Sequence, residues 1–113
     1  MIKSIRPDQA PVAKTPHGVD IRRLLDTEHA QVMHIRLLPG EELKRHLTPV
    51  DVFFYILEGS GLVEIGEEQA RVSADTLIES PANIAHRLIN DSQAVFRFLV
   101  VKTPRPTKAT QIL

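Results

Sequence analysis

The sequence contains no cysteine, so neither disulfide bonds nor thiolate metal ligands can form. It also lacks an excess of charge of either sign, because 14 basic side chains balance 14 acidic ones and no block of like charge occurs. Such a chain offers little electrostatic attraction to a nucleic acid backbone or to an anionic membrane surface. We therefore expect neither a nucleic acid nor a membrane as its partner.

Long hydrophobic runs are missing as well. The longest apolar runs are about six residues, whereas a membrane-spanning helix needs roughly 20. The first residues, MIKSIRPDQAPVAK, lack the apolar segment of a secretion signal. These absences predict a cytoplasmic protein, and its 113 residues are enough for a single domain with one core.

The chain consists instead of short segments rich in valine, isoleucine, leucine and phenylalanine, separated by turn-forming residues. We predict nine strands, over VDIRRLL, QVMHIRLL, LKRHLT, VFFYIL, LVEI, QARV, TLIES, HRLIN and AVFRFLVV. TEHAQVMHI could form a helical turn, but its β-branched continuation favours a strand. The pattern predicts an all-β sandwich or small barrel, with an N-terminal arm over about 1–17 and a C-terminal tail over about 103–113.

Two of these segments, VFFYIL and VFRFLVV, are apolar on both sides. One side faces the interior of the domain, and the other side also needs a cover. The arm and the tail could supply it, or a second copy of the protein could pack sheet to sheet through residues such as Phe53 and Tyr55. We favour the homodimer, because the tail TPRPTKATQIL offers little apolar area.

A polar pair, His46 and Thr48, precedes the most apolar segment, VFFYIL. The pair lies between two glycines at defined spacings. Five residues separate Gly40 from His46, one separates His46 from Thr48, three separate Thr48 from Val52, and six separate Val52 from Gly59. The glycines have a structural explanation, since turns need unusual backbone angles. The sequence therefore sets one histidine at the entrance of a buried strand.

Alternation along that strand predicts which side chains accompany the histidine. Thr48, Val52, Phe54 and Ile56 should share the inward side of His46 if a period of two continues across the turn at Pro49. The expected result is a mostly apolar ligand pocket beneath the imidazole. Tyr55 should point the other way, so we do not propose it as a catalyst.

A second set of residues, from Asp75 to Asn90, also has defined spacings. Five residues separate Asp75 from Pro81, one separates Pro81 from Asn83, two separate Asn83 from His86, and three separate His86 from Asn90. Asparagine adopts the left-handed conformation more readily than most residues, so Asn83 suits a turn.

Together the two spacings, over residues 40–90, resemble the two motifs of the cupin family. The resemblance implies an all-β, cupin-type double-stranded β-helix, or jelly-roll barrel. In cupins, two histidines and a glutamate of the first motif and a histidine of the second hold a divalent metal such as iron, manganese, nickel or zinc inside the barrel. His46 and His86 match this pattern here, whereas Thr48 stands in place of the second histidine and Val52 in place of the glutamate.

The substitutions leave the predicted metal site with two of its four ligands. Two imidazoles leave most coordination positions to water, and catalytic metal sites usually have at least three protein ligands. A third ligand could come from His34, if its side chain turns inward, or from Asp51, although alternation places Asp51 opposite to Val52. The other histidines, His17 and His29, lie in loop-like contexts and are predicted to be exposed.

Three functions follow from these expectations. The first is small-molecule binding at a barrel-interior site built on His46 and His86, with or without a divalent metal. The alternative is a metal-dependent enzyme, dioxygenase or isomerase-like, that uses a third ligand such as His34. An inert assembly module is least favoured, since apolar residues would fill an inert core better than two histidines.

Overall fold

The computed structural model describes residues 1–113 and contains ten strands and no α-helix. The strands are β1 (Asp20–Asp26), β2 (Gln31–Leu37), β3 (Glu42–Leu47), β4 (Val52–Glu58), β5 (Ser60–Ile65), β6 (Glu68–Ser73), β7 (Leu77–Ser80), β8 (His86–Ile89), β9 (Phe96–Lys102) and β10 (Gln111–Ile112). A single 3-10 turn, Pro7–Gln9, lies in the proline-containing arm. The structure has no helix with the length and hydrophobicity needed to span a bilayer.

The strands form two five-stranded antiparallel sheets. The first has the order β1-β2-β9-β4-β7, and the second has the order β10-β3-β8-β5-β6. One hydrophobic cluster contains inward-facing side chains of both sheets, so the sheets enclose a common core. This arrangement confirms the predicted all-β double-stranded β-helix, a jelly-roll barrel.

All nine predicted segments are strands, because each combines β-branched or aromatic residues with turn formers at its ends. TEHAQVMHI forms a turn followed by a strand and no helix. The tail contains one element that the sequence did not predict, since β10 pairs with β3 and places Ile112 opposite His46. Asn83 has a φ of 62° and thus adopts the predicted left-handed conformation.

Aromatic and aliphatic side chains fill one end of the barrel and are buried from solvent. Phe54, Phe96 and Phe98 are fully buried, and their rings make edge and tilted contacts with one another. Gly59 allows this close packing of strands, because a Cβ there would overlap the carbonyl oxygen of Val95 and its φ is 82°. This end of the interior is an ordinary hydrophobic core.

The outer face of the first sheet carries the side chains for which the sequence predicts a partner. Phe53 and Tyr55 alternate with buried residues along β4 and are half-buried in the single chain. The Tyr55 hydroxyl donates a hydrogen bond to Asp75. The homodimer through this face stays a prediction, which light scattering of the purified protein measures directly.

Candidate functional site

A β-bulge in β3 sets the orientation of the first motif. Leu43 lies opposite Leu88 and His46 lies opposite His86, so Lys44 and Arg45 together face the one residue between those partners. The extra residue shifts the alternation by one, and both Leu43 and His46 therefore point into the barrel. It also frees the Lys44 backbone from the regular ladder with β8.

His46 and His86 meet inside the barrel as neighbours on adjacent strands. They are only 4% and 2% exposed, and their ring centroids lie 4.2 Å apart at an interplanar angle of 74°. Their Nε2 atoms are 2.8 Å apart, which is hydrogen-bond distance. The structure thus brings together the two histidines that the sequence selected, although 40 positions separate them.

The hydrogen bonds around this pair have one consistent direction when both rings are neutral. The Lys44 carbonyl can only accept, so His46 donates from Nδ1 and its Nε2 is an acceptor. His86 must then donate from Nε2, which leaves its Nδ1 to accept from the Ser80 hydroxyl at 2.7 Å. A chain of hydrogen bonds thus runs from Ser80 through His86 and His46 to the Lys44 carbonyl. It satisfies all four ring nitrogens while both imidazoles are neutral.

Burial keeps both imidazoles neutral. Desolvation, followed by repulsion from His46, lowers the pKa of His86 to about 3 from its ordinary value of 6.5. Desolvation also lowers the pKa of His46, although its hydrogen bond to the Lys44 backbone opposes the shift. Near neutral pH both imidazoles of the pair are therefore uncharged.

The predicted ligand-pocket residues lie on the inward side of the barrel, as alternation required. Thr48, Val52, Phe54 and Ile56 are all buried. Val52, Phe54 and Ile56 belong to the hydrophobic core cluster, and the Phe54 ring packs edge-on against His86. They form the packed floor beneath the histidines and do not line the cavity that opens beside His46.

That opening, called here the His46 cavity, has a volume of about 160 Å³. Six of its lining side chains are apolar. The polar ones include the imidazoles of His17 and His46 and the amine of Lys102. Its lining residues are Thr15, Pro16, His17, Ile21, Met33, Ile35, Leu43, His46, Val100, Lys102, Thr110 and Ile112. Residues of the arm and of the C-terminal tail are among them, so both ends of the chain contribute to the site.

The structure corrects the expectation that His34 could be a third ligand. His34 is buried, but Ile35 and Leu37 on either side of Arg36 form the inward face of β2. His34 Nε2 accepts a hydrogen bond of 2.8 Å from Arg97 on the outer face of the sheet. A side chain on that face cannot reach a metal between His46 and His86.

Asp51 is not available as a ligand either. It is exposed, and its carboxylate accepts a hydrogen bond of 2.9 Å from the Ala82 backbone amide. Nowhere in the chain do three histidine, aspartate or glutamate side chains group in a way that could hold a metal. The donor set of two imidazoles therefore does not fit the divalent metal that the family resemblance implied, since catalytic sites usually have at least three protein ligands.

Three residues of the site were missed in the sequence. His17 was expected to be exposed, but it is half-buried and its ring lies 4.9 Å from that of His46. Lys102 lies on the inward face of β9, and Ser80 contacts His86. Alternation after Phe96, Phe98 and Val100 could have identified Lys102, whereas the position of His17 depends on the folded arm.

Only one of the loop histidines behaves as predicted. The side chain of His29 is 85% exposed and lies near Glu28. His17 instead accepts a hydrogen bond of 2.9 Å at Nδ1 from the Lys44 backbone amide, which the β3 bulge makes available. Desolvation and the proximity of His46 lower its pKa to about 4.

Comparisons with known proteins agree with this architecture. The family model of the cupin domain matches residues 33–102. A crystal structure of a protein from Thermus thermophilus is 31% identical, has a TM-score of 0.75, and the match covers 84% of this chain and 92% of that one. An uncharacterised protein of Methanocaldococcus jannaschii is 27% identical over 89 residues, which are 78% of this chain and 77% of that protein.

The polyketide cyclase RemF from Streptomyces resistomycificus has the same fold at low identity. Its structure has a TM-score of 0.83 with 18% identity, and the match covers 100% of this chain and 86% of that one. The cupin-domain match includes β3 to β9 in full and thus both buried histidines. With more than half of its length matched by the family model, the chain belongs to the cupin family.

Proposed function

We propose that the protein binds a small, mostly apolar organic molecule in the His46 cavity and that it does so without a metal. The observation that carries this proposal is a cavity of about 160 Å³ with mostly apolar walls and the buried His46 imidazole in its lining. Cavities of about 150 Å³ accommodate benzene, so the volume suits a ligand with a single ring or a short branched chain. Such walls supply binding energy through desolvation, while the few polar groups orient the ligand.

The hydrogen bonding of the histidine pair supports binding without a metal. His46 and His86 satisfy one another, and the Lys44 carbonyl and Ser80 hydroxyl satisfy their outer nitrogens. The pair therefore needs no ion to compensate its burial. Of the pair, only His46 lines the cavity, where it can offer a ligand a neutral, polarisable edge.

One observation favours the alternative, a metal-dependent enzyme with dioxygenase or isomerase-like activity. The two Nε2 atoms face each other, and an oxygen atom holds each Nδ1, as commonly found for histidines that bind metals. A third protein ligand is missing, because His34 and Asp51 lie elsewhere and no three histidine, aspartate or glutamate side chains group in a way that could hold a metal.

Metal content separates the two functions. Protein incubated with excess iron, manganese, nickel or zinc and then dialysed should contain less than stoichiometric metal by elemental analysis. Stoichiometric metal that is lost in both His46→Ala and His86→Ala would contradict metal-free binding and support the enzyme.

Ligand binding is tested with three probes that share one ring and differ in charge: benzoate, benzyl alcohol and benzylamine. At least one of them should raise the thermal midpoint of chelator-treated protein and should titrate by calorimetry. Met33→Trp, which reduces the cavity volume, should abolish the effect while the variant still unfolds cooperatively. The proposal fails if none of the probes binds, or if Met33→Trp binds them as tightly as the unmodified protein does.

A further inference from the structure

The His46 cavity contains a lysine that has no counter-ion. Lys102 ends β9 on the inward side, in register with Val52, and is half-buried. Its Nζ has one partner, the Thr110 hydroxyl at 3.4 Å, and no carboxylate lies within the 4.0 Å of a salt bridge. An unpaired ammonium beside apolar walls is costly, and burial accordingly lowers the pKa of Lys102.

A second hydrogen-bond donor lines the same cavity. His17 accepts at Nδ1 from the Lys44 amide, which cannot act in the opposite direction. The neutral imidazole must therefore carry its proton on Nε2, and this N–H has no partner within the chain. The cavity thus presents one cation and one N–H donor, but no anionic acceptor.

The remaining polar groups do not replace an anion. Thr15 and Thr110 contribute hydroxyls near the mouth, and His46 already shares its Nε2 with His86. Most of the wall is apolar, with Ile21 and Val100 as examples. A ligand that complements this lining has one negatively charged end and an apolar body.

We infer that the ligand is a monocarboxylate with a small apolar body, whose carboxylate accepts hydrogen bonds from Lys102 Nζ and His17 Nε2. This inference rests on the proposed function and assigns its ligand class. An amine would be repelled by Lys102, and an alcohol would leave the ammonium unpaired. Hydrogen bonds between charged partners are about twice as strong as neutral ones, so the charge of the ligand should dominate selectivity.

The test compares benzoate with benzyl alcohol by calorimetry, since the two share a ring and differ in the charged group. Benzoate should bind the unmodified protein at least about tenfold more tightly than benzyl alcohol. Lys102→Met, which keeps the aliphatic stem, should remove this advantage and leave benzyl alcohol affinity within about threefold. Lys108→Met removes an exposed lysine of the tail as the matched control, and it should preserve the advantage.

A second variant tests the other donor and does not alter the lysine. His17→Asn can still accept from the Lys44 amide but has no donor that reaches as far as the imidazole Nε2. It should weaken benzoate binding several-fold and leave benzyl alcohol binding unchanged.

The outcomes separate this inference from the proposed function. If benzyl alcohol binds as tightly as benzoate, or if the benzoate advantage survives in Lys102→Met, the carboxylate assignment is wrong and the cavity remains a binding site. If neither compound nor benzylamine binds, both proposals fail.

Discussion

The strand β9 crosses two very different halves of the barrel interior. Near its start, Phe96 and Phe98 are fully buried in aromatic contacts, whereas Lys102 at its end lies at the His46 cavity without a counter-ion. The same alternation places all of these side chains on one side of the strand. The first half is therefore built for stability, and the second half holds polar groups whose burial a stable fold does not require.

The difference between the halves also appears in their hydrogen bonding. In the packed half, the buried Asn90 amide donates hydrogen bonds to two backbone carbonyls. The half near the cavity instead uses the bulge in β3 to orient His17 and His46 through the backbone of Lys44. A bulge interrupts the ladder and is often found beside a functional site. The bulge in β3 therefore marks the end of the barrel that holds the candidate site.

The largest expected effect is in the packed half. Phe98→Ala removes a fully buried ring and should lower the free energy of unfolding by about 3–5 kcal/mol. Lys102 lies on the same inward face of β9, four residues after Phe98. Lys102→Met should change the free energy of unfolding by less than about 1 kcal/mol or increase it, because a desolvated charge is removed. Urea unfolding of both variants measures the contrast, and equal losses would contradict the division of the interior.

An acid-dependent loss of stability should come from the other half. The pKa of His86 is about 3 in the folded protein and near 6.5 when unfolded, so the unfolded state binds more protons between these values. Stability should be fully retained above pH 6.5 and fall as the pH decreases toward 3. Each histidine linked in this way contributes about 1.4 kcal/mol per pH unit inside its window. His17, with a pKa of about 4, adds to the slope down to that pH.

Unfolding titrations at several pH values test this dependence. His86→Leu should reduce the slope by the contribution of one proton. His29→Gln, which changes an exposed histidine outside the site, is the matched control. An unchanged slope in His86→Leu would show that other groups cause the acid sensitivity.

Much of the fold was predictable from local signals. Alternating β-branched and aromatic residues identified nine strands, whereas the resemblance of the two motif spacings to those of cupins implied the architecture and the pair His46 and His86. The strand predictions succeeded because they depend on side-chain periodicity and on turns, which are encoded in short segments. Thr48 and Val52 are inward for the same reason.

The rest depended on contacts that periodicity does not encode. His34 was ambiguous because two neighbouring residues of one strand, His34 and Ile35, are both buried, one on each face of the sheet. His17 joins the site because the arm folds over the barrel and meets a bulge, and β10 forms through pairing with β3. Such long-range packing overrides the loop-like composition of these segments.

The smallest expected effect concerns Ser80, whose hydroxyl donates to His86 in the buried chain of hydrogen bonds. Ser80→Ala should cost about 1 kcal/mol of unfolding free energy, because it leaves His86 Nδ1 without a donor. In a His86→Leu background the same change should cost nothing or be stabilising, since the hydroxyl has already lost its only partner. A double-mutant cycle by urea unfolding measures the coupling between the two positions. If Ser80→Ala costs the same in both backgrounds, the serine does not stabilise the fold through its hydrogen bond to His86.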